Sequence, residues 1–344
     1  MKKLVYVLLI GLQLTLGCKK DVPIFNSKSF PLENDNIKLA LVNSATPSYF
    51  IDIFYFNAST GIAISNDGRV FKTTDFGASW SIKYINPNKN QSLAQIHFTN
   101  ANVGYIVGGT LSCNGTGCIP PGGLILKTID GGNSWTTILQ SAYVEFSSIA
   151  SNSLGELFVT ANGTMGRIYK SVNDGGSWTI SEVVSSQFQK IIFSGIYGFC
   201  TANSGKLLGS IDNGATWTLT PILPANYAID IKFNSGNGYC IANSRTVYKT
   251  TDNGATWAQS LDYQNGVSIV NPLTANSCLV FGKGSYSGGD FGGWSSMIMQ
   301  TKNAGATWIE TEIKEMEPIR CASFYSATEG YAVAGKKLIK VTVK

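Results

Sequence analysis

Catalysis in this chain would have to come from few side chains. Its 344 residues include a single histidine, four arginines and seven cysteines. His97 lies in the apolar pattern Gln95-Ile96-His97-Phe98, so a histidine-based triad has little to rest on and a structural role is expected. Hydrolysis of a glycosidic bond needs two facing carboxylates. Asp230, Asp262 and Asp290 are candidates, but Asp230 holds the strand position that Lys190 holds one repeat earlier, where a structural ion pair is the alternative. Cys113 and Cys118 enclose Asn-Gly-Thr-Gly. A disulfide there suits an oxidising compartment, whereas zinc would need two further ligands and no second close cysteine pair exists. Cys200, Cys240, Cys278 and Cys321 fall in apolar strand patterns and read as small core residues. No catalytic residue, cofactor or metal is expected.

Binding chemistry is better supplied. Residues 282–296 hold Lys283, Tyr286, Asp290, Phe291 and Trp294. Exposed Tyr and Trp offer flat apolar faces to a sugar ring or to a protein hot spot. The alternative is that these rings fold back over their own strands, and Phe291 fits that better. Basic residues recur at equivalent turns: Arg69, Arg167, Lys206, Arg245, Lys283 and Lys336. A ring of like charge attracts an anionic surface or ligand, although hairpin tips also carry solvated charge without function.

The elements that position these residues are set by an internal repeat. The pattern S/T-x-D/N-x-G-x-S/T-W occurs six times, ending at Trp80, Trp135, Trp178, Trp217, Trp257 and Trp308. Its acidic or amide residue is Asp75, Asp130, Asn173, Asp212, Asp252 and Asn303 in turn. Such a side chain accepts bonds from backbone N–H groups in a tight turn, and the glycine two residues later takes positive φ without steric cost. The tryptophan buries a large ring between neighbouring sheets. Six copies doing the same thing argue for scaffold, not catalysis.

Successive tryptophans lie 55, 43, 39, 40 and 51 residues apart, so the base unit is near the length of a four-stranded propeller blade. The 37 glycines, 11% aromatics and only 14% charged residues suit short strands and tight turns. The expected fold is all-β, a seven-bladed propeller of four-stranded antiparallel blades over residues 37–344. The last unit ends after three strands, and the strand pattern Ile37-Lys38-Leu39-Ala40-Leu41-Val42 is expected to supply its fourth and close the ring. The repeated turn joins strands three and four. The turns between strands two and three therefore share the opposite face, and the two length excesses, 108–123 and 282–296, fall there. Long additions to an economical repeat are usual places for function.

Lys2 and Lys3 precede an apolar run over residues 4–16, too short for a permanent membrane span. The run ends in Leu14-Thr15-Leu16-Gly17-Cys18, which resembles a bacterial lipobox, with Thr15 a less usual residue. The resemblance implies removal of residues 1–17 and lipidation of Cys18. Residues 18–36, polar and holding two prolines, are expected to be a flexible tether. Attachment to a membrane by this anchor alone, in the bacterial cell envelope, follows as an expectation. The net charge of +5 and the lack of basic runs give no reason to expect nucleic acid. A monomer is expected.

The repeated turn in successive blades, the count of seven and closure between the chain ends resemble the photosystem II stability and assembly factor-like propellers, whose turn is known as the Asp-box or BNR repeat. Sortilin-type and xyloglucanase-type propellers share it. The resemblance covers residues 37–344 and implies a propeller face that binds a partner protein without catalysis. A cell-surface glycan-binding or glycoside-hydrolase-like propeller, related to sialidases, is the competing expectation. Against it, the Arg-Ile-Pro sequence typical of sialidases is replaced by Arg167-Ile168-Tyr169. The expected binding residues are Arg69, Arg167, Lys206, Arg245, Lys283, Tyr286, Asp290 and Trp294; their ligand is an unknown protein or glycan.

Overall fold

The structure, a computed structural model, describes residues 24–26, 30–88, 91–114, 117–184, 187–202, 207–220, 228–284 and 295–344. These contain no helix and form seven sheets, each built on four antiparallel strands, with a fifth strand added at the outer edge of two of them. Blade 1 runs Phe50–Tyr55, Gly61–Ser65, Arg69–Thr73 and Ser81–Ile85. The first strands of blades 2 to 7 are Ser92–Phe98, Glu145–Ser151, Phe188–Ser194, Ala228–Asn234, Val267–Pro272 and Ile319–Phe324. Each first strand packs on that of the next blade, and blade 7 packs on blade 1. Closure is as expected. Ile37–Asn43 is the fourth strand of blade 7, antiparallel to Lys337–Val343, with Ile37 opposite Val343 and Leu39 opposite Val341.

The core is a set of seams between sheets. At the blade 3/4 seam, Phe158, Ile168, Phe188, Cys200 and Trp217 pack together. At the blade 4/5 seam, Phe199 meets Phe233 in a stack and Trp257 edge-on. The repeated turn builds these seams from local bonds. In its first copy, Thr73 Oγ1 accepts from Gly77 N at 2.9 Å and donates to Asp75 Oδ1 at 2.8 Å. Asp75 then accepts from Ser79 N at 2.9 Å and Ser79 Oγ at 2.6 Å. Gly77 has φ +88°, and a Cβ there would strike Leu338 of blade 7, so both conformation and close approach require glycine. Trp80 Nε1 closes the turn on Gly77 O at 3.1 Å.

Two features differ from the sequence reading. Ile24–Asn26 pairs in parallel with the outer strand of blade 6, and Leu32–Glu33 pairs with Ile37–Asn43. Leu32 is 3% exposed in the blade 6/7 seam, so part of the stretch read as tether belongs to the folded body. Its apolar anchors, Leu32 and the partly buried Phe30, are too few for a periodicity search to register. The excess over 108–123 is a lengthened hairpin, Gly104–Asn114 with Gly117–Thr128, whose register places Cys113 opposite Cys118. The second excess lies largely outside the described residues.

Candidate functional site at the mouth of the central channel

Every first strand carries one extra residue near its start. The register shifts fall between Phe50 and Asp52, Leu93 and Gln95, Phe146 and Ser148, Phe188 and Lys190, Ala228 and Asp230, Val267 and Ile269, and Ile319 and Cys321. A bulge increases local twist and re-aims the side chains beside it. Here the residue after each bulge lines a central cavity of about 480 Å³ in most blades, Ser148, Lys190 and Asp230 among them. First strands begin on the face of the two–three turns, so the residues after the bulges lie toward that face.

The polar residues after the bulges lash each blade to the next. Asp52 Oδ2 accepts from Ile96 N at 2.8 Å, Gln95 Oε1 from Ile149 N at 3.0 Å, and Ser148 Oγ from Ile191 N at 3.1 Å. Lys190 forms an ion pair with Asp230, whose other oxygen accepts from Val270 N at 2.9 Å. One layer deeper, Lys232 Nζ donates to Asn271 Oδ1 at 2.8 Å, and Tyr55 N donates to Ser323 Oγ at 2.9 Å. Because an ammonium only donates, Asn271 must turn its oxygen to Lys232. Its Nδ2 is then left without an acceptor although Asn271 is 7% exposed.

The electrostatics are mixed. Burial raises the Asp52 carboxyl to about 6, against the N–H bond from Ile96 and the nearby Lys190 and Lys232. Burial also opposes ionisation of Asp230, but Lys190 and Lys232 outweigh it and hold that carboxyl below its usual value. Burial lowers Lys232. Asp52 and Lys232 keep part of their surface open to the channel, so their desolvation is incomplete. Arg320, the extra residue of the blade 7 bulge, stands at the rim with its guanidinium 5.9 Å from the Tyr49 ring centre. Lys336 Nζ lies over the same ring at 5.0 Å.

Of the residues expected from sequence, Arg69, Arg167, Arg245, Lys283 and Lys336 stand at two–three turns, each on its own blade. They share a face without converging. Arg245 forms a fork with Asp262, Nη2 to Oδ2 at 2.8 Å, and Arg69 Nε lies 3.5 Å from Asp67. Lys206, Tyr286, Asp290, Phe291, Trp294 and Cys18 lie outside the described residues. Of the three candidate carboxylates, Asp230 and Asp262 are in ion pairs. His97 Nε2 is 2.9 Å from Ser151 Oγ, and burial lowers it to about 4, so the ring is neutral. The sequence reading missed Asp52, Lys232, Asn271 and Arg320. Stacking the first strands of the repeats would have exposed a run of polar residues at one position.

No curated protein sequence matches the chain. Residues 33–186, from the closing strand through blade 3, match the photosynthesis system II assembly factor YCF48 family. Among solved structures, YCF48 bound to D1 peptide aligns with a TM-score of 0.66 at 16% identity, over 94% of this chain and 99% of that one. YCF48 from Cyanidioschyzon merolae aligns with a TM-score of 0.62 at 16% identity, over 88% and 98%. The GH74 enzyme of Niastella koreensis aligns with a TM-score of 0.67 at 16% identity, over 88% of this chain but 53% of the enzyme. At such identities the likeness speaks for the fold.

Proposed function

We propose that this propeller is an exported, Cys18-anchored binding or assembly protein of the bacterial cell envelope. It holds a segment of a partner protein on the face of the two–three turns, centred on the channel mouth. The observation that carries the reading is the cavity whose lining lies toward that face, with Arg320 and Lys232 among its lining residues. Donors facing a cavity suit the carbonyls and carboxylates of a peptide. The match to the YCF48 family, and the YCF48 structure with a bound peptide, support a protein as ligand. Arg69, Arg167, Arg245 and Lys283 would act at the periphery by steering. A hydrolytic role for the carboxylates is disfavoured by their use as struts.

The test is capture of envelope proteins by the chain from residue 19, which keeps the packed N-terminal strands, beside the variant Arg320→Glu and the combined Arg69→Ala, Arg167→Ala and Arg245→Ala variant. A partner lost with Arg320→Glu supports the channel mouth. Binding unchanged in both variants sinks the reading.

The second reading, a glycan-binding or glycoside-hydrolase-like propeller, rests on one feature. Asp52 and Asp230 line one cavity and are displaced in opposite directions, as an acid and its partner carboxylate would be. Turnover in a glycoside screen that disappears with Asp52→Asn would favour it over the binding role.

A further inference from the structure

The face that carries the repeated turns has an apolar sector. The second residue of the turn is Ile129 in blade 2, Val172 in blade 3 and Ile211 in blade 4, exposed by 72%, 70% and 73%. Its counterparts in blades 1, 5 and 6 are Thr74, Thr251 and Lys302. Two one–two turns on the same face add Leu154 in blade 3 and Ile196 in blade 4. They are joined to Ile211 through Asn213, which donates its N–H to Ile196 O at 2.9 Å and accepts from Asn152 Nδ2 at 2.9 Å and Ser153 Oγ at 2.8 Å. Single exposed apolar residues are ordinary, but a contiguous sector marks a surface that is covered.

The path of the N-terminus says what covers it. The outer strand of blade 6, Ile309–Lys314, starts at this face and runs away from it. Ile24–Asn26 runs parallel beside it, with Ile24 opposite Glu312, three residues from Ile309 at the apolar face. Six residue steps lead from Ile24 to Cys18, a reach of about 20 Å at most. Regaining the level of Ile309 uses about 10 Å of that. An acylated Cys18 therefore cannot hold the protein far from a bilayer, and the level of the apolar face at blade 6, on the side of the ring away from blades 2 to 4, is within its reach.

We infer that the face of the repeated turns lies on the membrane surface, with Ile129, Val172 and Ile211 touching lipid opposite the acyl anchor. The inference rests on the proposed lipidation of Cys18. The sector is aliphatic, without the Trp, Tyr and Arg that dominate protein hot spots. The neighbouring carboxylates are engaged: Asp130 accepts from Ser134 N at 3.0 Å and Ser134 Oγ at 2.6 Å, Asp212 accepts likewise from Thr216, and Asp174 is paired with Lys127. Such a surface suits zwitterionic lipid. Two supports on one face orient the ring, and the channel mouth then points away from the bilayer to receive a partner.

The test uses the full acylated chain in phosphatidylcholine vesicles made with and without brominated acyl chains. Ile129→Trp and Ile211→Trp place probes on the apolar face, and Arg167→Trp places one on the opposite face. Added emission lost on brominated vesicles for the first two and retained for the third is the expected result. Equal quenching of all three, quenching of Arg167→Trp alone, or no quenching overturns the inference. So does protection of the apolar sector by contact between two copies, seen as cross-links. Mass analysis of Cys18 on the same sample separates the causes. An unmodified Cys18 removes the anchor as well; an acylated Cys18 with unquenched probes removes the orientation alone.

Discussion

Lys190 of blade 4 grips Asp230 of blade 5 while the same carboxylate takes the backbone N–H of Val270 in blade 6. One side chain thus spans three blades. Asp230 is 5% exposed, so removing Lys190 leaves a buried carboxylate without its ion-pair partner and with only the Lys232 charge nearby. Lys190→Met is expected to lower unfolding stability by about 3 kcal/mol. Asp230→Asn, which removes the charge itself and keeps an acceptor for Val270, is expected to cost clearly less. Urea unfolding of both variants decides this; equal losses would show that the charge pairing is not the source.

Asp52 titrates in the opposite sense to most structural carboxylates. Its folded-state value near 6 lies above the ordinary carboxyl value, so the stability it contributes is complete below about pH 4 and is lost as pH rises through 6. The carboxylates of the repeated turns, Asp75 and Asp212 among them, are lowered chiefly by their Ser or Thr hydroxyl bonds. They add stability above pH 4 and lose it in acid. Between pH 5 and 8 the Asp52 effect should appear as a decline that Asp52→Asn reduces. Unfolding midpoints at the two pH values measure it, and parallel declines in both proteins would refute the assignment.

The residue before the conserved-type glycine of each turn also has positive φ: Phe76 +66°, Asn253 +54°, Ala304 +55°. Asn adopts this conformation at lower cost than alanine. Ala304→Asn is expected to stabilise by about 0.5 kcal/mol, a fraction of the usual left-handed penalty. Gly254→Ala is expected to destabilise strongly, since φ is +83° and the new Cβ would strike Phe199. Thermal melts of the two variants should move in opposite directions.

Cys200, Cys240, Cys278 and Cys321 are buried and free, and burial raises all four thiols. Alkylation of these positions should follow global unfolding and accelerate with urea along the same curve as tryptophan emission. Fast labelling of any of the four in native buffer would mean local opening of that blade.

What could be read from sequence was what is encoded locally. The turn from Thr73 to Trp80 is held by bonds within eight residues, so its chemistry was legible one copy at a time. The closing strand was legible because a unit lacking its fourth strand must find one. The channel was not. Asp52, Gln95, Ser148, Lys190 and Asp230 look like isolated polar residues in apolar strands until a bulge in each strand brings them to one axis. The pairing of Arg245 with Asp262 hid for a similar reason. It depends on the register that sets Thr246 opposite Asp262, and without it Arg245 counted as a free charge.

Closure by the chain ends also sets an order in time. Lys344 Nζ donates to the carbonyl of Asn34, 310 residues earlier, and Val343 is the partner of Ile37. The strand Ile37–Asn43 must therefore wait for Lys337–Val343, holding an unpaired edge until that strand is made. Pairings of such long range form late and slowly, and the waiting edge is a site for wrong partners. A nascent chain stopped a few residues short would have every local turn in place and still no clasp. For this ring, translation through Lys337–Val343 is itself a folding condition.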